Sequence, residues 1–126
     1  ARVLGDLAIN HILPVATRYQ SVLLDNVSKI KTLFPPEKFD ELASSEMISI
    51  EKIASHMTII REKVAQMVNA RKVANKIENQ RDKAIAYHDT VAPLFDEIRY
   101  HIDKLELMID DEMWPLPKYR ELLFIR

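Results

Sequence analysis

Residues 50–67, IEKIASHMTIIREKVAQM, place Ile50, Ile53, Met57, Ile60, Val64 and Met67 at alternating steps of three and four. That spacing marks one face of an α-helix, because 3.6 residues per turn brings every third or fourth side chain back to the same side. The phase then shifts to Ala70, Ala74 and Ile77, so the pattern predicts one helix over about 46–79, on the order of 50 Å long at 1.5 Å per residue. A stripe of this length needs partners of similar length. Upstream, Leu4, Ala8, Ile12, Val15, Tyr19, Val22, Ile30 and Leu33 recur at the same steps, with Asn26 in register. Downstream, Val91, Phe95, Ile98, Ile102, Leu105 and Ile109 hold strict heptad spacing in a helix expected over about 81–112.

The punctuation between these stripes sets the topology. Pro14 and Pro93 fall inside the flanking stripes, whose registers continue on both sides, and so predict kinks rather than stops. In FPPEKFDELASSE, Pro35 and Pro36 end the first helix and open a short helix near 36–43, after which Ser44 or Ser45 caps the next. Asn79, with Asp82 three residues on, marks the last break. Long amphipathic helices joined by short connections pack antiparallel, so the expected fold is all-α: an elongated antiparallel bundle of three long, kinked helices. At 126 residues the chain has material for one core, and residues 1–126 are read as a single helical domain.

The tail DDEMWPLPKYRELLFIR departs from the polar ending usual for a helical domain. Trp114 precedes Pro115 and is pushed out of helical geometry, which predicts an end to the third helix near Met113. Leu116, held between prolines, is expected to be extended, and Pro117 to open a C-terminal helix near 117–124 with Tyr119, Leu122 and Leu123 on one face. Trp114, Pro115, Leu116, Pro117, Tyr119, Leu122 and Leu123 together read as a rigid elbow that docks an apolar helix onto a surface.

Composition excludes several functions. Gly5 is the single glycine where average usage of about 7% would supply roughly nine, so the glycine-rich loops that cradle phosphates in the Walker and Rossmann motifs are missing. The absence of cysteine removes disulfides, thiolate metal sites and a thiol nucleophile, and fits a reducing cytoplasm. With 18 Lys+Arg against 19 Asp+Glu there is no net field for nucleic acid or an anionic membrane. No apolar run approaches a membrane span. The charges are nevertheless segregated. Residues 50–83 carry Lys52, Arg61, Lys63, Arg71, Lys72, Lys76, Arg81 and Lys83 against Glu51, Glu62, Glu78 and Asp82. Residues 96–112 carry Asp96, Glu97, Asp103, Glu106, Asp110, Asp111 and Glu112 against Arg99 and Lys104. Such helices are expected to lie side by side, a pairing that selects one packing more than it stabilises it.

Neither a catalytic nor a cofactor or metal site emerges from the remaining polar residues. A di-iron bundle needs Glu-x-x-His pairs, and Glu97 to His101 is one residue too long and occurs once. The contexts of His11, His56, His88 and His101 (HILPV, HMTII, HDTVA, HIDKL) lack the small-residue setting of a phosphorelay histidine. Asp110, Asp111 and Glu112 point in three directions around one helix and read as a solvated helix end rather than converging oxygen ligands.

The stretch FDEIRYHIDKLELMIDDEMWPLPKYRELLF resembles the C-terminal end of the type III glutamine synthetases, and LGDLAINHILPVATRYQ resembles a segment that follows their catalytic region. The two stretches bracket the chain in the same order, and the run from Trp114 to Arg120 is the most specific part. The resemblance implies the C-terminal fragment of a longer bacterial enzyme whose catalytic domain lies upstream; the missing initiator Met points the same way. It further implies a cytoplasmic parent that joins ammonia to glutamate with ATP and Mg or Mn and works as a ring-forming homo-oligomer. None of that family's ligand-bearing strands or loops falls in this stretch, so no catalytic residue is carried over. The resulting expectation is a non-catalytic structural or assembly region, whose partners are the catalytic domain of its own chain and neighbouring subunits, with no nucleic acid and no membrane. The second reading is an independent helical adaptor that binds a partner helix in a groove.

Overall fold

The computed structural model describes residues 2–110 and 112–114, and among these every regular element is helical. Three helical arms follow one another. The first is α1 (Arg2–Leu7), a π-helical turn (Ala8–Ile12) and α2 (Leu13–Leu33). The second is α3 (Pro36–Asn75), a single helix of 40 residues, on the order of 60 Å. The third is α4 (Gln80–Ala86), a second π-helical turn (Tyr87–Val91) and α5 (Ala92–Met108).

Cross-arm contacts fix the topology as antiparallel. Gln20 Nε2 donates to the Ile50 carbonyl at 3.1 Å and Asn26 Nδ2 to Glu46 Oε1 at 2.6 Å, so residues advance on α2 as they recede on α3. On the other seam, Tyr87 Oη donates to Asn75 Oδ1, Lys63 Nζ lies 3.0 Å from Glu97 Oε2, and His56 meets His101, again in opposite order. The basic and acidic helices therefore lie side by side, as their charge patterns predict. The stripe of α3 is inward as expected: Ile53, Met57, Ile60, Val64, Met67 and Ala74 are buried. Leu4, Ala8, Ile12, Val15 and Ala16 from the first arm and Val91, Ile98, Ile102, Leu105 and Ile109 from the third join its central part in one core cluster.

Four features differ from the sequence expectation. First, no break separates a short helix near 36–43 from the next. Pro36 opens α3 with Pro35 extended at φ −68°, ψ 160°, and the helix runs on through Ser44 and Ser45 to Asn75. No glycine or proline follows Pro36 within α3, Ala43 is fully buried, and Glu46 is bonded across to α2, so packing holds the two serines inside the helix.

Second, in the first arm the inward residues beyond Tyr19 are Val27 and, partly, Leu23 and Ile30, whereas Val22 and Leu33 are exposed. Leu23, Val27 and Ile30 follow Tyr19 at steps of four, four and three, an equally helical register that lies one residue from the one through Val22 and Asn26.

Third, each internal proline follows a π-helical turn by the same offset. The Leu13 N–H bonds the Ala8 carbonyl and the Ala92 N–H bonds the Tyr87 carbonyl, both five residues back, and Pro14 and Pro93 come next. Proline cannot donate to the carbonyl four residues back and its ring clashes there. The wider turn accommodates the extra residue without ending the helix.

Fourth, α5 stops at Met108 rather than near Met113 or at 112. Ile109 is extended (φ −89°, ψ 144°), the Asp110 carbonyl accepts the Met113 and Trp114 N–H groups at 3.1 Å each, and Asp110 Oδ1 accepts the Glu112 N–H at 2.8 Å. This aspartate turn brings Trp114 into the core that already holds Ile109; a continued helix would carry the indole, five residues on, off the face shared by Leu105 and Ile109. The second helix likewise ends at Asn75 rather than 79, while Asn79 caps α4 as expected, its Oδ1 accepting the Asp82 N–H at 3.0 Å.

Candidate functional site

The predicted docking element divides at Trp114. That indole is buried with the core cluster, whereas Pro115, Leu116, Pro117, Tyr119, Leu122 and Leu123, and the helix expected near 117–124, lie outside the described residues. Of the carboxylates at the end of the third arm, Asp103, Asp110 and Glu112 are exposed and Glu106 is half-buried; Asp111 lies outside the described residues. Among the described residues no group of three or more His, Asp or Glu side chains is arranged to hold a metal ion.

The polar cluster that the fold does assemble joins α3 to α5. His56 and His101 flank the buried stripes of their helices, next to Met57 and Ile102, and antiparallel packing turns them toward each other. Their Nδ1 atoms are 2.8 Å apart and the rings are 5.1 Å apart at 51°. A contact of this length between two ring nitrogens is a hydrogen bond in which one Nδ1 donates and the other accepts. Burial lowers the pKa of both histidines from the usual 6.5. For His56 the neighbouring His101, Lys104 and Lys52 lower it further. For His101 Glu97 opposes the shift and Lys63 adds to it. Glu97 is itself held by Lys63. Tyr100 stands edge-on to the His101 ring, and the Lys104 ammonium lies 5.3 Å from the centre of the Tyr100 ring.

A groove of about 600 Å³ opens beside this pair, lined by Ser45, Ile48, Ser49, Lys52, His56, Tyr100, Lys104, Leu107 and Met108. It combines two ammonium groups without an acidic partner among the described residues, Lys52 and Lys104, with the exposed apolar side chains of Ile48 and Leu107. Ser45 and Ser49 make no hydrogen bond to His56, so no hydroxyl is set up as a nucleophile there. His11 and His88 are exposed at the two π-helical turns, beside Asp6 (3.9 Å) and Asp89 (3.1 Å) respectively. Sequence reading tested each histidine for local motifs and missed the pairing of His56 with His101. The available signal was their position at the edge of two facing stripes of opposite charge.

No protein-family model matches the chain. Over all 126 residues it is 50% identical to a glutamine synthetase of Bacteroides fragilis (strain YCH46). Over the same 126 residues it is 24% identical to a type-3 glutamine synthetase of Dictyostelium discoideum. In each case the match covers 100% of this chain and the chain spans only 17% of the relative's length. Similarity of this extent fits a fragment of a glutamine synthetase, as the resemblance of the two bracketing stretches implies. No helix among the described residues is long and apolar enough to cross a membrane.

Proposed function

We propose that the chain is the C-terminal structural and assembly region of a type III glutamine synthetase and carries none of that enzyme's catalytic residues. The observation that carries this reading is similarity along the whole chain to a stretch that makes up 17% of the length of each of two glutamine synthetases. The parent reaction, ligation of ammonia to glutamate at the expense of ATP with Mg or Mn, belongs in this reading to a catalytic domain elsewhere in the same cytoplasmic polypeptide. The helical region serves it by contact, packing on its own catalytic domain and on neighbouring subunits of a ring-forming homo-oligomer. Exposed apolar side chains support the role: Leu107 is 80% and Leu33 76% exposed, and Phe34, Leu42, Ile48 and Tyr100 are also outward. Apolar surface left in water forgoes about 25 cal/mol per Å², which contact with a partner recovers.

Within this proposal the stretch from Pro115 through Leu116, Pro117, Tyr119, Leu122 and Leu123 is the docking segment, redirected at Trp114. Deleting residues 115–126 from the full-length enzyme tests it, because Trp114 and the bundle core stay in place. The expected outcome is a smaller oligomer by light scattering or native mass measurement. An oligomer of unchanged mass would refute the assembly role of the tail.

A further inference from the structure

We propose that His56 and His101 form a proton-operated latch on the seam between α3 and α5, closed while at least one ring is neutral and opened when both are protonated. The chemistry follows from the geometry of the pair. At 2.8 Å between the two Nδ1 atoms, one must present a proton and the other a lone pair. Two neutral imidazoles satisfy this, and so does one imidazolium with one imidazole, because an acceptor nitrogen remains. Two imidazolium rings do not: each then carries an N–H at Nδ1, so two donors and two positive charges face one another across a hydrogen-bond distance. The protons come from solvent and no other co-reactant is needed.

The charged groups that act on the pair all lie on the two helices it joins. Lys52 on α3 and Lys104 on α5 face His56, and Lys63 on α3 and Glu97 on α5 face His101. Three of these four are cationic. The one carboxylate is ion-paired with Lys63 at 3.0 Å, so little negative charge is left to stabilise a second imidazolium. Immediately beneath the pair, Met57, Ile98 and Ile102 are buried, so separating the rings loosens the core at this point on the seam.

The direction of the pH effect is fixed by linkage. Both histidines titrate lower in the folded chain than the usual value near 6.5 that they take when unfolded. Above about 6.5 neither state takes up a proton, and the full stability of the seam is present. As pH falls below that value the unfolded chain binds protons first, and stability declines until the folded pair is protonated too. The two rings titrate as one coupled unit in two steps.

The test compares Tm of the 126-residue chain between about pH 7.5 and about pH 5, a range that brackets imidazole titration. It uses the unsubstituted chain, the double variant His56→Asn/His101→Asn and the exposed-histidine control His88→Gln. A fall in Tm toward acid is expected in the unsubstituted chain and in H88Q, and a clearly smaller fall in the double variant. An equal fall in all three overturns the proposal. Amide hydrogen exchange in the unsubstituted chain, corrected for the intrinsic pH dependence, keeps the question decidable if the double variant does not fold. Acid should remove protection from α5 around 98–105 before α2 around 16–27. Uniform loss, or none, refutes a local latch.

Discussion

Gly5 is the one residue whose backbone freedom the fold does not use. It is buried in α1 without a positive φ, and a Cβ built there would meet Val64 Cγ1 at 3.6 Å and Met67 Cε at 3.7 Å, ordinary packing distances. Glycine within a helix is less favourable than alanine by roughly 0.5–1 kcal/mol, because more conformational freedom is lost on folding. Gly5→Ala is therefore expected to stabilise the chain by about that amount, read as a higher urea midpoint at unchanged slope. A lower midpoint would mean that α1 sits closer to α3 than these distances allow. The histidines show the opposite relation between residue and neighbourhood. Nothing in HMTII or HIDKL marks His56 or His101, because their partner lies 45 residues away and only the register between helices brings the rings together. That is why the pair was not legible in the sequence, whereas Ile53, Ile60, Ile98 and Leu105, fixed by their own helical period, were.

Helix ends carry the next level of information, and Asn79 is the clearest of them. Its Oδ1 accepts the Asp82 N–H at 3.0 Å and satisfies one of the free donors at the start of α4, a helix of seven residues with no buried side chain. Little else holds this turn, so Asn79→Ala is expected to cost about 1 kcal/mol and to raise amide exchange at residues 80–86 before any other helix. Equal exchange in the variant would show that the cap is dispensable. The cap was readable because a capping side chain acts within three residues. Other element boundaries were not. Pro35 and Pro36 marked a helix start, but of the long α3 rather than of the short helix expected near 36–43, because Ser44 and Ser45 carry capping chemistry that packing of Ala43 and the Asn26–Glu46 bond overrides. Pro14 and Pro93 located the irregularities in the outer arms, yet the response, a π-helical turn just upstream of each, depends on keeping both halves of the stripe against α3. Charge segregation did foretell the α3–α5 neighbour relation. The observed Lys63–Glu97 pair, with its side chains 27% and 49% exposed, contributes only about 0.2–1 kcal/mol and serves as a register mark.

For the molecule as a whole, the decisive closure comes after the last helix. If α5 continued to Met113, Trp114 would fall five residues beyond Ile109 and off the face that carries Leu105 and Ile109. Instead the chain leaves helical geometry at Ile109, turns on Asp110, and returns the indole to the cluster shared by all three arms. Trp114 is 7% exposed, and truncating a buried Trp to Ala typically costs 3–5 kcal/mol through lost transfer energy and the cavity left behind. Against a domain stability of roughly 5–15 kcal/mol, that is a large share. Trp114→Ala is accordingly expected to lower the urea midpoint by an amount equivalent to about 3–5 kcal/mol, with far-UV and near-UV signals still unfolding together if the turn belongs to the cooperative core. The substitution tests the bundle separately from the tail deletion. A loss below about 1 kcal/mol would place Trp114 outside the cooperative unit, since ordinary surface changes stay within about half that. Combined with a reduced oligomer mass of the full-length Trp114→Ala enzyme itself, that result would assign the indole to intersubunit docking rather than to closing the bundle.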